Sequence, residues 1–239
     1  MSTFGDTLYI NGQTIMLNGI SNQNMTPNFS SVTDIDGNTY QTVYILGREW
    51  MTEDLRVTKF NNGDPIYHMT SSSSWTSSQC TSPGYINHNG VILYNGFVIA
   101  DSRNVCPAGW SIPTTSEYEE ILDMFNDGEW PEVTSNAYAK TWEHAGIKLK
   151  SEDLSLNGHI WTNANNHSFL NFMPQVSSNC TNVNSYGWGN QTYYWTSTPA
   201  GYNPPDNWAL DIENNSSNVT FMDMSHGGNS SFTTRCIKD

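Results

Sequence analysis

The residues able to do chemistry in this chain are scattered carboxylates, six histidines and four cysteines. His68, His88, His144, His159, His167 and His226 show no HExxH spacing, and neither GxSxG nor GxxxxGK[ST] occurs. Glu117, Glu119 and Glu120 stand together, but at a helix start they serve the dipole and the solvated face. Paired carboxylates for glycoside hydrolysis meet in space rather than in sequence, so a hydrolase stays open as a remote alternative. Asp34-x-Asp36-Gly37-Asn38 is superficially a calcium loop, but it lacks the later bidentate Glu and reads as a hairpin turn. Cys80, Cys106, Cys180 and Cys236 form no CxxC or Cys/His cluster, which argues against structural zinc. Of the three pairings, Cys106 with Cys236 is favoured, leaving Cys80 with Cys180. Four buried thiols are the alternative for a chain assembled in a reducing cytoplasm.

The elements that must position such residues are mostly strands. Of 239 residues only 13% are charged while 13% are aromatic, a balance that excludes disorder and fits a folded, loop-rich, secreted-type chain. The formal net charge of −14 opposes nucleic acid and anionic membrane surfaces, and no apolar run approaches the length of a membrane span. Met1 to Gly19 has neither the basic nor the continuous apolar region of a signal peptide. "TLYINGQTIMLNGI" reads as a hairpin about Asn11-Gly12, followed by a linker, so residues 1–31 form a docking or assembly segment. Residues 32–239 then form one domain. "SIPTTSEYEEILDMFNDG" is the best helix, capped by Thr114 or Thr115, with Tyr118, Ile121, Leu122 and Phe125 as its apolar stripe and Gly128 ending it. A second helical piece is expected in "AYAKTWEHAG", a long loop over 69–90, and only short β-like segments after Gly158.

The words "VTDIDGNTYQTVYILGREWMTEDL", "YNGFVIADSRNVCPAGWSIPTTSEYEEIL", "AGIKLKS", "YYWTSTP" and "TRCIKD" follow one another from Val32 to the chain's end. In that order they resemble the Fibrobacter succinogenes major paralogous domain family. The resemblance implies an α+β fold: a C-type-lectin-like domain of the formylglycine-generating-enzyme kind, with two helices, small antiparallel sheets and long loops. It also implies non-enzymatic, surface-exposed relatives in Bacteroidetes and their phages, and kinship with variable proteins of diversity-generating retroelements. The copper-dependent oxidase chemistry of that fold needs two close thiols near the C-terminus, and only Cys236 follows Cys180. Gly96 stands where many relatives carry Trp.

The expected function is therefore cell-surface recognition, as a phage fibre or tail receptor-binding protein on a virion surface or outside the cell. A bacterial adhesin and a virion decoration protein without a specific ligand are the alternatives. The partners would be a host glycan or protein and, through residues 1–31, other virion proteins, in a homo-oligomer for which a trimer is favoured. In "WALDIE", Trp208, Leu210 and Ile212 should face the core, leaving Asp211 and Glu213 exposed. The loop "AGYNPPDN" offers Tyr202, Asn203, Asp206 and Asn207 on a proline-stiffened frame. "FMDMSHGGN" offers Met222 or Met224, Asp223, His226 and Asn229. Tyr with Asn, Ser and Gly suits glycan or protein alike, while Trp188, Trp195 and Trp208 are expected in the core. No cofactor is required. Calcium is the one ion the resemblance would bring, although Asp206-Asn207-Trp208 lacks the usual sugar-binding order.

Overall fold

In the computed structural model, residues 7–10, 13–16, 27–70, 81–126, 132–133, 140–153, 160–175, 177–179, 182–186, 190–201, 205–224 and 230–239 are described. The strands β1 (Thr7–Ile10) and β2 (Gln13–Met16) pair antiparallel as a two-stranded hairpin, while residues 17–26 lie outside the described residues.

A second hairpin, β3 (Phe29–Thr33) and β4 (Thr39–Ile45), turns at the Asp34–Asn38 run. The carboxylate of Asp34 accepts the backbone N–H of Asp36 and of Asn38, each at 2.9 Å, and the Tyr40 hydroxyl at 2.6 Å. It thus caps the turn, as the sequence suggested. β5 (Arg48–Met51) follows. β6 (Tyr67–His68), β7 (Gly84–His88) and β8 (Val91–Asn95) begin another sheet, so a strand occupies the end of the stretch expected to be loop. A short helix, α1 (Gly96–Ile99), and β9 (Trp110–Ser111) lead to α2 (Thr115–Phe125).

α2 is the expected helix. Thr114 is its N-cap and shares a capping box with Glu117, whose carboxylate accepts the Thr114 N–H at 2.7 Å. Tyr118, Ile121, Leu122 and Phe125 are buried. The helix stops at Phe125 with Asn126 as C-cap, and Gly128 lies outside the described residues.

β10 (Glu132–Val133) precedes β11 (Lys140–Trp142), which lies inside the stretch read as helical. Pairing of Thr141 with Thr220 and of Trp142 with Val219 overrides local helix propensity there. The helix begins only at α3 (Ala145–Leu149). β12 (Ser177–Asn179) and β13 (Asn182–Tyr186) are short. β14 (Gln191–Pro199, nine residues) and β15 (Asn207–Glu213, seven residues) are longer than the expected segments, and β16 (Val219–Met224), β17 (Ser230–Phe232) and β18 (Ile237–Lys238) complete the chain.

Apart from the first hairpin, the described residues form three sheets, in the orders β3-β4-β5-β18-β9, β13-β12-β17-β8-β7-β6 and β10-β11-β16-β15-β14. Two large apolar cores and a small cluster of Met69, Ile86, Val91 and Leu93 lie among them. One gathers Tyr40, Leu55, Tyr94, Trp110, Trp195, Phe232 and the Cys106–Cys236 disulfide. The other packs α2 and α3 against Val43, Trp50, Leu210, Ile212 and Phe221. With three helices among the described residues and mainly antiparallel sheets, the architecture is α+β. The disulfide is the favoured one, while Cys80 and Cys180 lie outside the described residues.

Candidate functional site

Strand β15 lies between β14 and β16, so its two faces are read from the register. Tyr194, Leu210 and Phe221 pair side by side, as do Thr192, Ile212 and Val219, and this face packs onto the core under α2 and α3. The opposite face carries Gln191 beside Glu213, Tyr193 beside Asp211 beside Thr220, and Trp195 beside Ala209 beside Met222. Its Trp195 and Ala209 end is roofed by Phe232, and the Trp195 indole N–H donates to the Tyr94 carbonyl at 2.7 Å. The rest is open at Met222, 38% exposed, and at Glu213.

Three expected site residues, Asp211, Glu213 and Met222, therefore share one face. The alternation holds and Glu213 is exposed as expected, but Asp211 is only 7% exposed, because this face too is covered over part of its length. Trp208, expected in the core, is half-buried. Both oxygens of Asp211 accept from the Gln191 amide nitrogen at 2.9 Å. Burial pushes the Asp211 carboxyl up to about 7, against the Gln191 hydrogen bond and with help from the Glu213 charge. Tyr193 stacks on Phe232 at 4.8 Å, and burial, with the charges of Asp211 and Glu213, pushes its phenol up to about 12.

At the far end of the sheet Trp208 stands opposite Asp223. One oxygen of Asp223 has no hydrogen-bond partner among the described residues, and burial together with the nearby Asp206 charge raises its carboxyl. Asn207, expected as a ligand-reading residue, is 4% exposed and gives its amide N–H to the Thr196 carbonyl at 3.0 Å. It is a structural residue, because the loop's last position already belongs to the strand. Tyr202, Asn203, His226, Asn229 and Trp188 lie outside the described residues. Among the described residues no three His, Cys, Asp or Glu side chains converge as metal ligands.

Sequence reasoning missed a buried ionic knot. Arg235 is 1% exposed. It donates through Nε to Asp54 at 2.7 Å, to the Leu170 carbonyl, and to the Asn171 carbonyl at 2.9 Å, with its plane over Phe172. Asp54 also accepts from the Tyr194 hydroxyl at 3.0 Å and the Gln175 amide at 2.8 Å. A signal was available: an arginine beside a core cysteine must carry a carboxylate inward with it. Beside this knot opens a cavity of about 360 Å³, to which Asp54, Leu55, Ile92, Asn171, Gln175 and Arg235 contribute.

The disulfide, the capped helix and the Asp54–Arg235 knot all fall within residues 43–238, the span matched by the family model of the Fibrobacter succinogenes major domain. The chain belongs to that family. In this Fibrobacter succinogenes major domain the match begins at Val43 in β4 and runs through β18, leaving the β1–β2 hairpin outside it. No curated protein and no solved structure matches the chain.

Proposed function

We propose that the protein is a non-catalytic recognition module with a C-type-lectin-like architecture that binds a glycan or protein on a cell surface. The open face of β14–β16 would form the contact. What carries the reading is the composition of that face: a rigid aromatic (Tyr193), an adaptable apolar side chain (Met222) and hydrogen-bonding groups (Gln191, Thr220, Glu213) on a sheet braced from both sides. Such a mixture supplies contact area and directional bonds with little ordering cost. The resemblance extends to phage proteins, and the hairpin outside the matched span favours a phage fibre or tail, with residues 1–31 holding the module in its assembly; fibre-type assembly favours a trimer.

The test is binding of the labelled chain to intact Bacteroidetes cells and to a glycan array, comparing wild type with Thr220→Arg and Met222→Glu. Both positions are partly or largely open, so the fold should survive. Saturable binding weakened at least tenfold by either change supports the proposal. Undiminished binding would place the contact elsewhere, and no binding at all would favour a decoration protein.

One observation favours a second reading. Asp211, with its carboxyl near 7, and Glu213 two residues along share a face, the arrangement a glycosidase uses for an acid and its partner carboxylate. Against it, Gln191 engages both Asp211 oxygens and burial keeps them from solvent. New reducing ends released from an array-positive glycan would decide for hydrolysis.

A further inference from the structure

The cavity beside the Arg235 knot shares no lining residue with the β14–β16 face, and the chemistry of its wall specifies a ligand. Three carboxylates line it. Asp54 is fully engaged by Arg235, Tyr194 and Gln175. Glu53 accepts the Gln41 N–H at 2.7 Å and the Arg56 guanidinium at 3.0 Å. Asp153 is exposed, and among the described residues nothing pairs with its carboxylate.

The two cations are spoken for. Arg235 is consumed in the knot, and Arg56 is drawn off over the Tyr40 ring and onto the Thr39 carbonyl. The lining therefore carries one unmatched negative charge, in a chain whose formal charge is already −14.

Two more acceptors lack donors among the described residues. Gln175 is 5% exposed; because its amide nitrogen is committed to Asp54, its orientation is fixed, and the opposite oxygen has no partner. The side-chain oxygen of Asn171 is likewise unpartnered, and that residue is held in the left-handed region at φ 58°. A buried acceptor without a donor is a standing penalty that a donor-bearing ligand relieves. The remaining wall is mainly aliphatic, with Leu55, Val91, Ile92 and Met173 beside Gly90 and Thr52, whose hydroxyl donates to the Gln41 carbonyl.

We propose that this cavity binds a primary ammonium group on an aliphatic stem, with the ammonium at Asp153 and the amide oxygens and the stem along the apolar wall. An ammonium supplies three donors and no acceptor, which matches a wall short of donors and one positive charge. A sugar hydroxyl brings acceptors the wall does not need. The same chemistry comes from a free diamine or from a lysine side chain of a partner protein, and the experiment separates them.

Calorimetric titration of the full chain with cadaverine, Nα-acetyl-lysine methylamide, 1-pentanol and methyl glucoside is the test. A ligand of this size in such a site should bind with a dissociation constant of about a millimolar or tighter. Binding by both amines, or by the lysine derivative alone, supports capture of a lysine side chain. Binding by cadaverine alone supports a free amine. Asp153→Asn, at an exposed position, should weaken amine binding at least tenfold, and Met173→Trp should abolish it by filling the cavity while leaving the circular dichroism spectrum unchanged. Equal binding of pentanol, preference for the glucoside, an Asp153→Asn variant that binds amines as well as wild type, or no amine binding at 20-fold the expected constant would each overturn the proposal. Thr220→Arg should leave amine binding intact, so failure here and failure of the sheet-face reading are told apart.

Discussion

Replacing Asp211 by Asn should make the protein more stable at pH 8 and leave it no more stable at pH 4. Asp211 lies in β15 at 7% exposure, and its carboxyl is raised from 3.8 to about 7 by burial. A shift of about three units corresponds to roughly 4 kcal/mol of preference for the neutral acid in the folded state. The sign follows from proton binding. Between about pH 4 and pH 7 the folded chain holds a proton the unfolded chain has lost, so this group's contribution is fully present below the unfolded value. It disappears as pH rises through the folded value. Above pH 7 wild type carries a buried carboxylate eased mainly by Gln191.

The amide introduced by Asp211→Asn would never ionise, and its oxygen could still accept from Gln191, provided the Gln191 amide avoids opposing nitrogens. After allowing for that adjustment, the expected gain at pH 8 is roughly 1–3 kcal/mol, or about 2–12 °C in Tm for a chain of this size. Thermal melts of both proteins at pH 4.5 and pH 8, compared as differences, measure it. A shift of the same size at both pH values, or destabilisation at pH 8, would refute the account of Asp211 as a neutral acid held in the sheet.

Other expectations follow from the same structure. Arg235→Met should cost about 3–5 kcal/mol in denaturant unfolding, because it strands Asp54 without its partner, and adding Asp54→Leu should recover part of the loss. Reducing the Cys106–Cys236 bond, which spans 130 residues, should lower stability by about 3–5 kcal/mol, seen as a drop in Tm with dithiothreitol. Thr114→Ala should cost about 1–2 kcal/mol by opening the capping box of α2. Lys150, fully buried with its ammonium on the Asn214 and Ser216 carbonyls, is pushed down to about 8 by burial. Its folded value lies below the unfolded one, so its contribution should rise with pH between about 8 and 10.5, and Lys150→Met should flatten the pH dependence of Tm across that window.

What could be read from the sequence was what is decided locally. Thr114 with Glu117 and the Tyr118, Ile121, Leu122, Phe125 stripe specify α2 within one stretch of chain. Asp34 caps its own turn. Cys106 with Cys236 is the pairing favoured among the four cysteines, and the ordered family words mark the family to which the domain belongs. What stayed hidden depends on distant partners. Lys140–Trp142 is a strand only because β16 lies alongside it. Asp211 is buried on a face that alternation alone marks as outer, and Tyr193 beside it packs on Phe232 of a different sheet. The cavity needs Asp54, Asp153, Gln175 and Arg235, separated by up to 181 positions, and no spacing rule joins them.

β18 sits between β5 and β9 as an inner strand of its sheet, with Ile237 paired to both Trp50 and Ser111. The sheet that opens at residue 29 therefore cannot close until residue 238 has left the ribosome. During synthesis β5 and β9 wait without the strand that joins them, and this sheet is completed only when β18 has emerged. A cell making this protein must shield those half-built edges from one another, and a chain cut before Ile237 would lose the strand that joins β5 to β9.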